Sequence, residues 1–292
     1  MASNIHDFCE IHIENTNSCA YKCIMCPRDK QTRPIGFMPI DDFSLILAKI
    51  GPFKGNFHLH GYGEPLLDRQ LPKKIQLLKT QFPHSKTIIY STLGMPSKTA
   101  HFEELARSGL DHLVVSVYGF STEAYKQVHG FDGWERMQSN LTLLCNIIRK
   151  NHLGLNIRIK IPQPSIYTTL PIAEPEGKKA FLQKAEALGC SIGEWFVVHN
   201  FGDGRSYNTP DPDRLCPVLN GLRRTILNIT WDLNVIPCCY DFNATIRFGN
   251  LRNSSLEEIF SSQEYFQFVL AHTSGELSSY PICQNCEKYD YE

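Results

Sequence analysis

Along the first two-thirds of the chain, short runs rich in β-branched and aromatic residues alternate with longer stretches whose apolar positions recur at helical spacing. The runs Cys9–Glu14, Phe57–His60, Thr87–Ser91, His112–Val117, Leu155–Ile161 and Glu194–Val198 predict strands. Between them, Ile40–Ile50, Leu71–Thr80, Ser97–Ser108, Asp132–Lys150 and Glu176–Leu188 predict helices. Asp41 stands where it could cap the first helix, and Gly109 and Gly189 stand where a glycine ends one. Strands alternating with helices imply parallel β-α-β units with right-handed crossovers. Six such units fall short of the closed eight-stranded barrel of about 250 residues, so the expectation is an α/β fold with an open, partial (β/α)6 barrel.

The pattern changes near Asn200. Phe201–Pro217 is rich in Gly, Asp, Asn and Pro and reads as a linker or a long functional loop. Beyond it, Thr225–Trp231 and Val235–Cys238 alternate as a β-hairpin across Asp232-Leu233-Asn234, and Ser254–His272 reads as a helix. The expected division is a barrel over 1–200 and a small C-terminal domain over 201–292. The second piece is too small to build much core of its own, a deficit that a bound metal cluster commonly offsets.

Composition changes this picture only at the cysteines. Of 292 residues, 42% are hydrophobic and 20% charged, ordinary values for a globular protein. No apolar run approaches a membrane span, and residues 1–7 lack the apolar core of a secretion signal, so a cytoplasmic enzyme is expected. A net charge of -1 gives no electrostatic footprint for nucleic acid, which points to a small or peptidic partner. The chain has 11 cysteines. In a reducing compartment these do not serve as disulfides. Cys19, Cys23 and Cys26 cluster near one end, and Cys216, Cys238, Cys239, Cys283 and Cys286 near the other, which reads as two metal sites.

Cys19-Ala-Tyr-Lys-Cys23-Ile-Met-Cys26-Pro-Arg28 follows directly on the first predicted strand. Three thiolates at this spacing can hold one face of an iron–sulfur cube and leave its fourth iron open; a zinc site is the alternative, although zinc favours four closed ligands. The motif resembles the signature of the radical S-adenosylmethionine (SAM) superfamily, and the Cys-x-Met-Cys-Pro-Arg wording resembles its members with SPASM or twitch extensions. The resemblance implies that the open iron of a [4Fe–4S] cluster chelates SAM, whose reductive cleavage yields a 5′-deoxyadenosyl radical that abstracts hydrogen from a substrate. Met25 holds a position often occupied by an aromatic residue near the adenine.

Other positions fit that resemblance. Tyr62-Gly63-Glu64-Pro65 resembles the family's Gly-Gly-Glu-Pro turn, with Tyr62 in place of the first glycine; Gly63 permits close backbone approach, and Glu64 would hold the SAM ammonium group. Ser91 and Thr92, ending the third strand, and Ser116 on the fourth resemble positions near the SAM carboxylate and ribose. Arg158 and Lys160 share one face of the fifth strand, where one of them could bind the SAM carboxylate or substrate or else form a barrel-rim salt bridge. His58 and His60 share one face of the second, where either could reach the cavity or serve structure alone.

Cys216, Cys238, Cys283 and Cys286 supply four thiolates, enough to close a second [4Fe–4S] cluster, with a zinc ribbon as the alternative. The wording from Pro237-Cys238 through Gly249-Asn250-Leu251 to Ser255-Leu-Glu-Glu-Ile259 resembles the twitch subdomain, which implies Cys238 as the ligand and leaves Cys239 spare. A closed second cluster would accept an electron, and loss of a hydrogen atom, a proton and an electron turns a secondary alcohol into a ketone. In this respect the chain resembles the 2-deoxy-scyllo-inosamine dehydrogenase-like enzymes, which implies a small polar substrate and a flavodoxin- or ferredoxin-type reductant. Candidate bases near the end of the sixth strand are Glu194, His199 and Arg205. The rival is epimerisation with a thiol hydrogen donor, for which Cys145, Cys190 and Cys239 are unassigned. A further alternative is a ribosomally made precursor peptide, disfavoured because only eighteen residues precede Cys19.

Overall fold

Nine strands form one sheet in the order β6-β5-β4-β3-β2-β1-β7-β8-β9. The computed structural model from which this order is read describes residues 8–162, 175–196, 199, 201, 216 and 225–287. β1 (Phe8–Ile13), β2 (Asn56–His58), β3 (Lys86–Ser91), β4 (His112–Ser116), β5 (Asn156–Pro162) and β6 (Ser191–Phe196) are all parallel, each beside its predecessor. The intervening helices are α1 (Ile40–Ile50), α2 (Leu71–Gln81), α3 (Thr99–Ala106), α4 (Thr122–His129), α5 (Trp134–Lys150) and α6 (Pro175–Ala187). This is the six-unit partial barrel that the alternation predicts.

Strand parity sorts the side chains. Ile11, Ile13, Phe57, Leu59, Ile89, Leu113, Val115 and Ile159 are fully buried, in one core with Leu47, Leu78, Phe102 and Leu144 of the helical layer. The alternate positions of β1, β2, β3 and β5 carry Glu10, His12, His58, Tyr90, Arg158 and Lys160, so the inner face is polar.

Several boundaries differ from expectation. β6 begins at Ser191, three residues before the predicted start, because Ser191-Ile-Gly continues the pairing with Arg158–Lys160. α1 has Pro39 as its N-cap rather than Asp41, which lies in the first turn. α4 was unanticipated, although its signals are present: the Ser121 hydroxyl accepts the Ala124 N–H, and Gly130 ends it in the left-handed conformation. The predicted Ser254–His272 helix is two, α7 (Leu256–Phe260) and α8 (Gln263–Ser274), because the Ser262 hydroxyl caps a new start.

The C-terminal hairpin extends the barrel sheet. β7 (Thr225–Ile229) pairs in parallel with β1, and β8 (Asn234–Ile236) and β9 (Gly249–Asn250) follow antiparallel. The second half of the chain is thereby hydrogen-bonded to the first strand of the first half. α9 (Pro281–Gln284) places Cys283 near the end of the described chain.

Candidate active site

The loop that follows β1 carries Cys19, Cys23 and Cys26, and it is pinned from two sides. Lys22 N–H and Ile24 N–H donate to the carbonyls of His129 and Val128 at the end of α4, each at 3.0 Å. The Arg28 guanidinium donates to the Cys19 carbonyl at 2.9 Å. Gly63 lies so close to this loop that a Cβ there would stand 2.3 Å from the Thr16 carbonyl oxygen. Its lack of a side chain therefore admits the protein's own cysteine loop rather than a ligand.

His129 is buried between the rings of Tyr118 and Tyr125, with centroids at 5.2 and 4.1 Å. Its Nε2 accepts the Tyr118 N–H at 3.2 Å, which places the proton on Nδ1, 3.5 Å from the Cys23 sulfur. Burial lowers its pKa to about 3, so the neutral ring donates to Cys23 throughout the working pH range. Burial raises the Cys19 thiol to about 11, with the Glu64 carboxylate adding to the rise. Cys23 is raised well above the usual thiol value by burial and then by Cys26 and Cys19. Mutual repulsion of this kind requires sulfurs that converge.

Glu64 is held on all sides. Its Oε1 accepts from Ser91 Oγ at 2.6 Å and Leu66 N at 3.2 Å, and its Oε2 accepts from Thr92 N and Oγ1, both at 2.9 Å. Burial raises its pKa while these four donors oppose the rise. Ser91 and Thr92 thus position Glu64, and the four lone-pair sites of the carboxylate are taken. A bound ammonium group would be admitted by rotation of either hydroxyl.

These groups line one chamber of about 330 Å³, together with Met25, Tyr62, Ser116 and Cys239. His12, His60, Tyr90, Asn228 and Asp241 also line it. Neither Arg158 nor Lys160 does; Lys160 stands with its Nζ 5.3 Å from the centre of the ring of Tyr90, which does line it, and is lowered to about 8 by burial. Cys145 and Cys190 lie elsewhere: they touch each other at 3.7 Å on the outer side of the barrel, between α5 and the turn into β6. His199 is paired with Glu287 at 3.0 Å, beside Cys286. Arg205 and the side chain of Glu194 lie outside the described residues.

The second cysteine group reaches the same chamber through Cys239. Cys238 is half-buried, and its thiol is raised by desolvation and then by Cys239, Cys283, Cys216 and Cys286. Of the adjacent pair after β8, Cys239 lines the chamber. The Tyr62 hydroxyl donates to the Cys239 carbonyl, joining the glutamate turn to the second set. A seam of four further bonds joins Lys30, Gln31, Thr32 and Arg33 to Phe242 and Asn243 at 2.7 to 3.2 Å.

The thiol spacing separates the two metal readings. A single zinc with Zn–S of about 2.3 Å holds its sulfurs about 3.8 Å apart. Among the described residues no three of these thiols lie within 4.8 Å of one another. A cube offers each thiolate its own iron and accepts the wider placement, so both sets fit iron–sulfur clusters better than zinc.

The sequence matches the Radical SAM superfamily over residues 13–157 and the iron–sulfur cluster-binding SPASM domain over residues 221–287. The chain belongs to the radical SAM superfamily: it is a radical SAM oxidoreductase with a SPASM-type domain, and its cofactors are SAM and two [4Fe–4S] clusters. The S-adenosyl-L-methionine-dependent 2-deoxy-scyllo-inosamine dehydrogenase of Niallia circulans is 22% identical over 296 residues, spanning 97% of this chain and 98% of that enzyme. The PqqA peptide cyclase of Rhizobium meliloti is 24% identical over 304 residues, 94% of this chain and 78% of the cyclase. The structure of BtrN in complex with AdoMet and 2-DOIA superposes with a TM-score of 0.61 at 19% identity, over 97% of this chain and 98% of that one, and has the same fold. No described helix is long and apolar enough to cross a membrane.

Sequence reasoning missed His12, Tyr90, Asn228, Asp241 and His129. The first had a legible signal: Glu10, His12 and Glu14 alternate along one face of a strand whose other face is apolar. The others depend on tertiary placement.

Proposed function

We propose that this enzyme oxidises a secondary alcohol of a small polar metabolite, a sugar or aminocyclitol, to the ketone. When bound, SAM at the first cluster supplies hydrogen abstraction and the second cluster supplies an electron acceptor. Cys19, Cys23 and Cys26 would hold the first cluster, and Cys216, Cys238, Cys283 and Cys286 the second. Met25, Tyr62, Gly63, Glu64, Ser91, Thr92 and Ser116 would shape the SAM site, with Glu64 oriented by the two hydroxyls. The barrel over 1–200 would carry the first site and residues 201–292 the second. The observation that carries the reading is the shared chamber, which Cys19, Cys23 and Cys26 line together with Cys239 of the second cysteine group, and Tyr62 bonds to Cys239. The full-length likeness to a 2-deoxy-scyllo-inosamine dehydrogenase supports the substrate class. A flavodoxin- or ferredoxin-type protein would supply the reducing electron in the cytoplasm.

The test is anaerobic reconstitution followed by incubation with SAM, reduced flavodoxin and 2-deoxy-scyllo-inosamine. Formation of one ketone per 5′-deoxyadenosine is expected. Deoxyadenosine with no ketone from any of a panel of polyols, but with a modified precursor peptide, would replace this reading by the peptide one.

One observation favours a second reaction. Cys239 lines the chamber, whereas Cys145 and Cys190 do not, which supports Cys239 as the thiol that would return hydrogen in an epimerase. Deuterium from heavy water at an inverted carbon, lost in Cys239→Ala, would identify that reaction.

A further inference from the structure

Below the chamber, the barrel interior departs from the branched aliphatic layers that usually fill such a core. Glu10 and His12 on β1 and His58 on β2 bring one ligand atom each within 4.8 Å of one another. His12 Nε2 lies 3.2 Å from Glu10 Oε2, and His58 Nε2 lies 3.7 Å from the same oxygen. The placement follows from the sheet. Glu10 and His12 are two residues apart and share a face, while the parallel register sets His12 opposite His58. The two imidazole rings are 4.5 Å apart.

We propose that Glu10, His12 and His58 form a third metal site, separate from both cysteine sets, for one divalent transition cation such as zinc or iron(II). Nitrogen and oxygen donors about 2.0–2.2 Å from a cation, at tetrahedral to octahedral angles, stand about 3.0–3.6 Å apart. The His12 to Glu10 separation of 3.2 Å falls at that spacing, the His58 to Glu10 separation of 3.7 Å lies just beyond it, and three ligands on one face leave positions open on the other. Glu10 and His58 are buried, and His12 lines the chamber, so the site has a shielded interior and an entry path. Two imidazoles and one carboxylate select an imidazole-seeking metal over magnesium or calcium, which prefer all-oxygen shells. His60, Tyr90, Arg158 and Lys160 are the other titratable groups facing this region. The two cations among them stand on β5, across β3 and β4 from the triad. The site stands on these three side chains and does not rest on the dehydrogenase reading.

The test uses the cluster-loaded holoenzyme, kept anaerobic and equilibrated with zinc. Elemental analysis is expected to find one zinc per chain beyond the cluster iron. Zinc X-ray absorption on the wild type is expected to show a shell of nitrogen and oxygen at about 2.0–2.1 Å and no sulfur at about 2.3 Å. In Glu10→Gln, His12→Asn and His58→Asn, zinc affinity should fall at least roughly a hundredfold, with iron content and far-ultraviolet circular dichroism unchanged, while His84→Asn, at an exposed position, binds as wild type. Absence of zinc beyond the clusters, zinc bound through sulfur, or unchanged affinity in folded triad variants would each overturn the proposal. If the variants do not fold, the wild-type absorption spectrum decides alone.

Discussion

His129 shows how one side chain can serve a site that its sequence context does not announce. It sits in a stretch without cysteine or glycine motif, yet its Nδ1–H points at the Cys23 sulfur and its Nε2 accepts a backbone N–H. A donor to a cluster thiolate stabilises the reduced, more negative state. His129→Leu should therefore lower the potential of the first cluster by about 1 kcal/mol, or about 40 mV for a one-electron couple. His129→Asn, whose amide can mimic Nδ1–H, should restore part of it; redox titration followed by electron paramagnetic resonance reads both. Lys160 carries a prediction about pH. Burial lowers its ammonium to about 8 from its ordinary 10.5, so between these values the unfolded chain holds more protons than the folded one. Stability contributed by this group therefore rises with pH from about 8 to 10.5, and below 8 the buried charge costs about 3 kcal/mol. Urea denaturation should show Lys160→Met to be more stable than wild type at pH 7 and to lose that part of the slope.

Among the elements, α4 is the one whose absence would be felt at the cysteines. It delivers the two carbonyls that fix Lys22 and Ile24, and it ends at Gly130 with φ of +61°. A Cβ at Gly130 would lie 2.6 Å from the Lys22 carbonyl oxygen, within the cysteine loop itself. Gly130→Ala should cost about 1–3 kcal/mol from the left-handed backbone, with the clash in addition. Its specific signature is iron content, falling from about eight atoms per chain toward about four as the first cluster is lost and the second kept. The strands and most helices were legible because their apolar spacing is local. The start of β6 and the break between α7 and α8 were not, since one depends on pairing with β5 and the other on a serine cap inside an otherwise helical pattern.

For the whole molecule, the decisive feature is that the C-terminal hairpin continues the barrel sheet beside β1. Glu14 anchors this junction from within. Its carboxylate is bound in two places by Arg33 at 2.5 Å, and it also accepts the N–H of Tyr62 and of Trp231. Both partners of the ion pair are buried, so removing one strands the other charge. Arg33→Ala should destabilise the protein by about 3–5 kcal/mol in urea unfolding. The substitution should also loosen the seam at Phe242, so SAM cleavage would be retained better than ketone formation; assaying the two products in one reaction checks this.

Most of the chemistry was legible in the sequence, because cysteine spacing and the Glu64 turn are short motifs whose meaning needs only a few adjacent residues. The partial barrel was legible too, since hydrophobic period is set residue by residue. What only the folded chain decided is convergence. The proximity of Cys239 to Tyr62, the reach of His129 to Cys23 and the meeting of Glu10, His12 and His58 all join residues carried on different strands or loops. Such meetings are fixed by sheet order and register, which arise from packing across the whole molecule rather than from any local pattern.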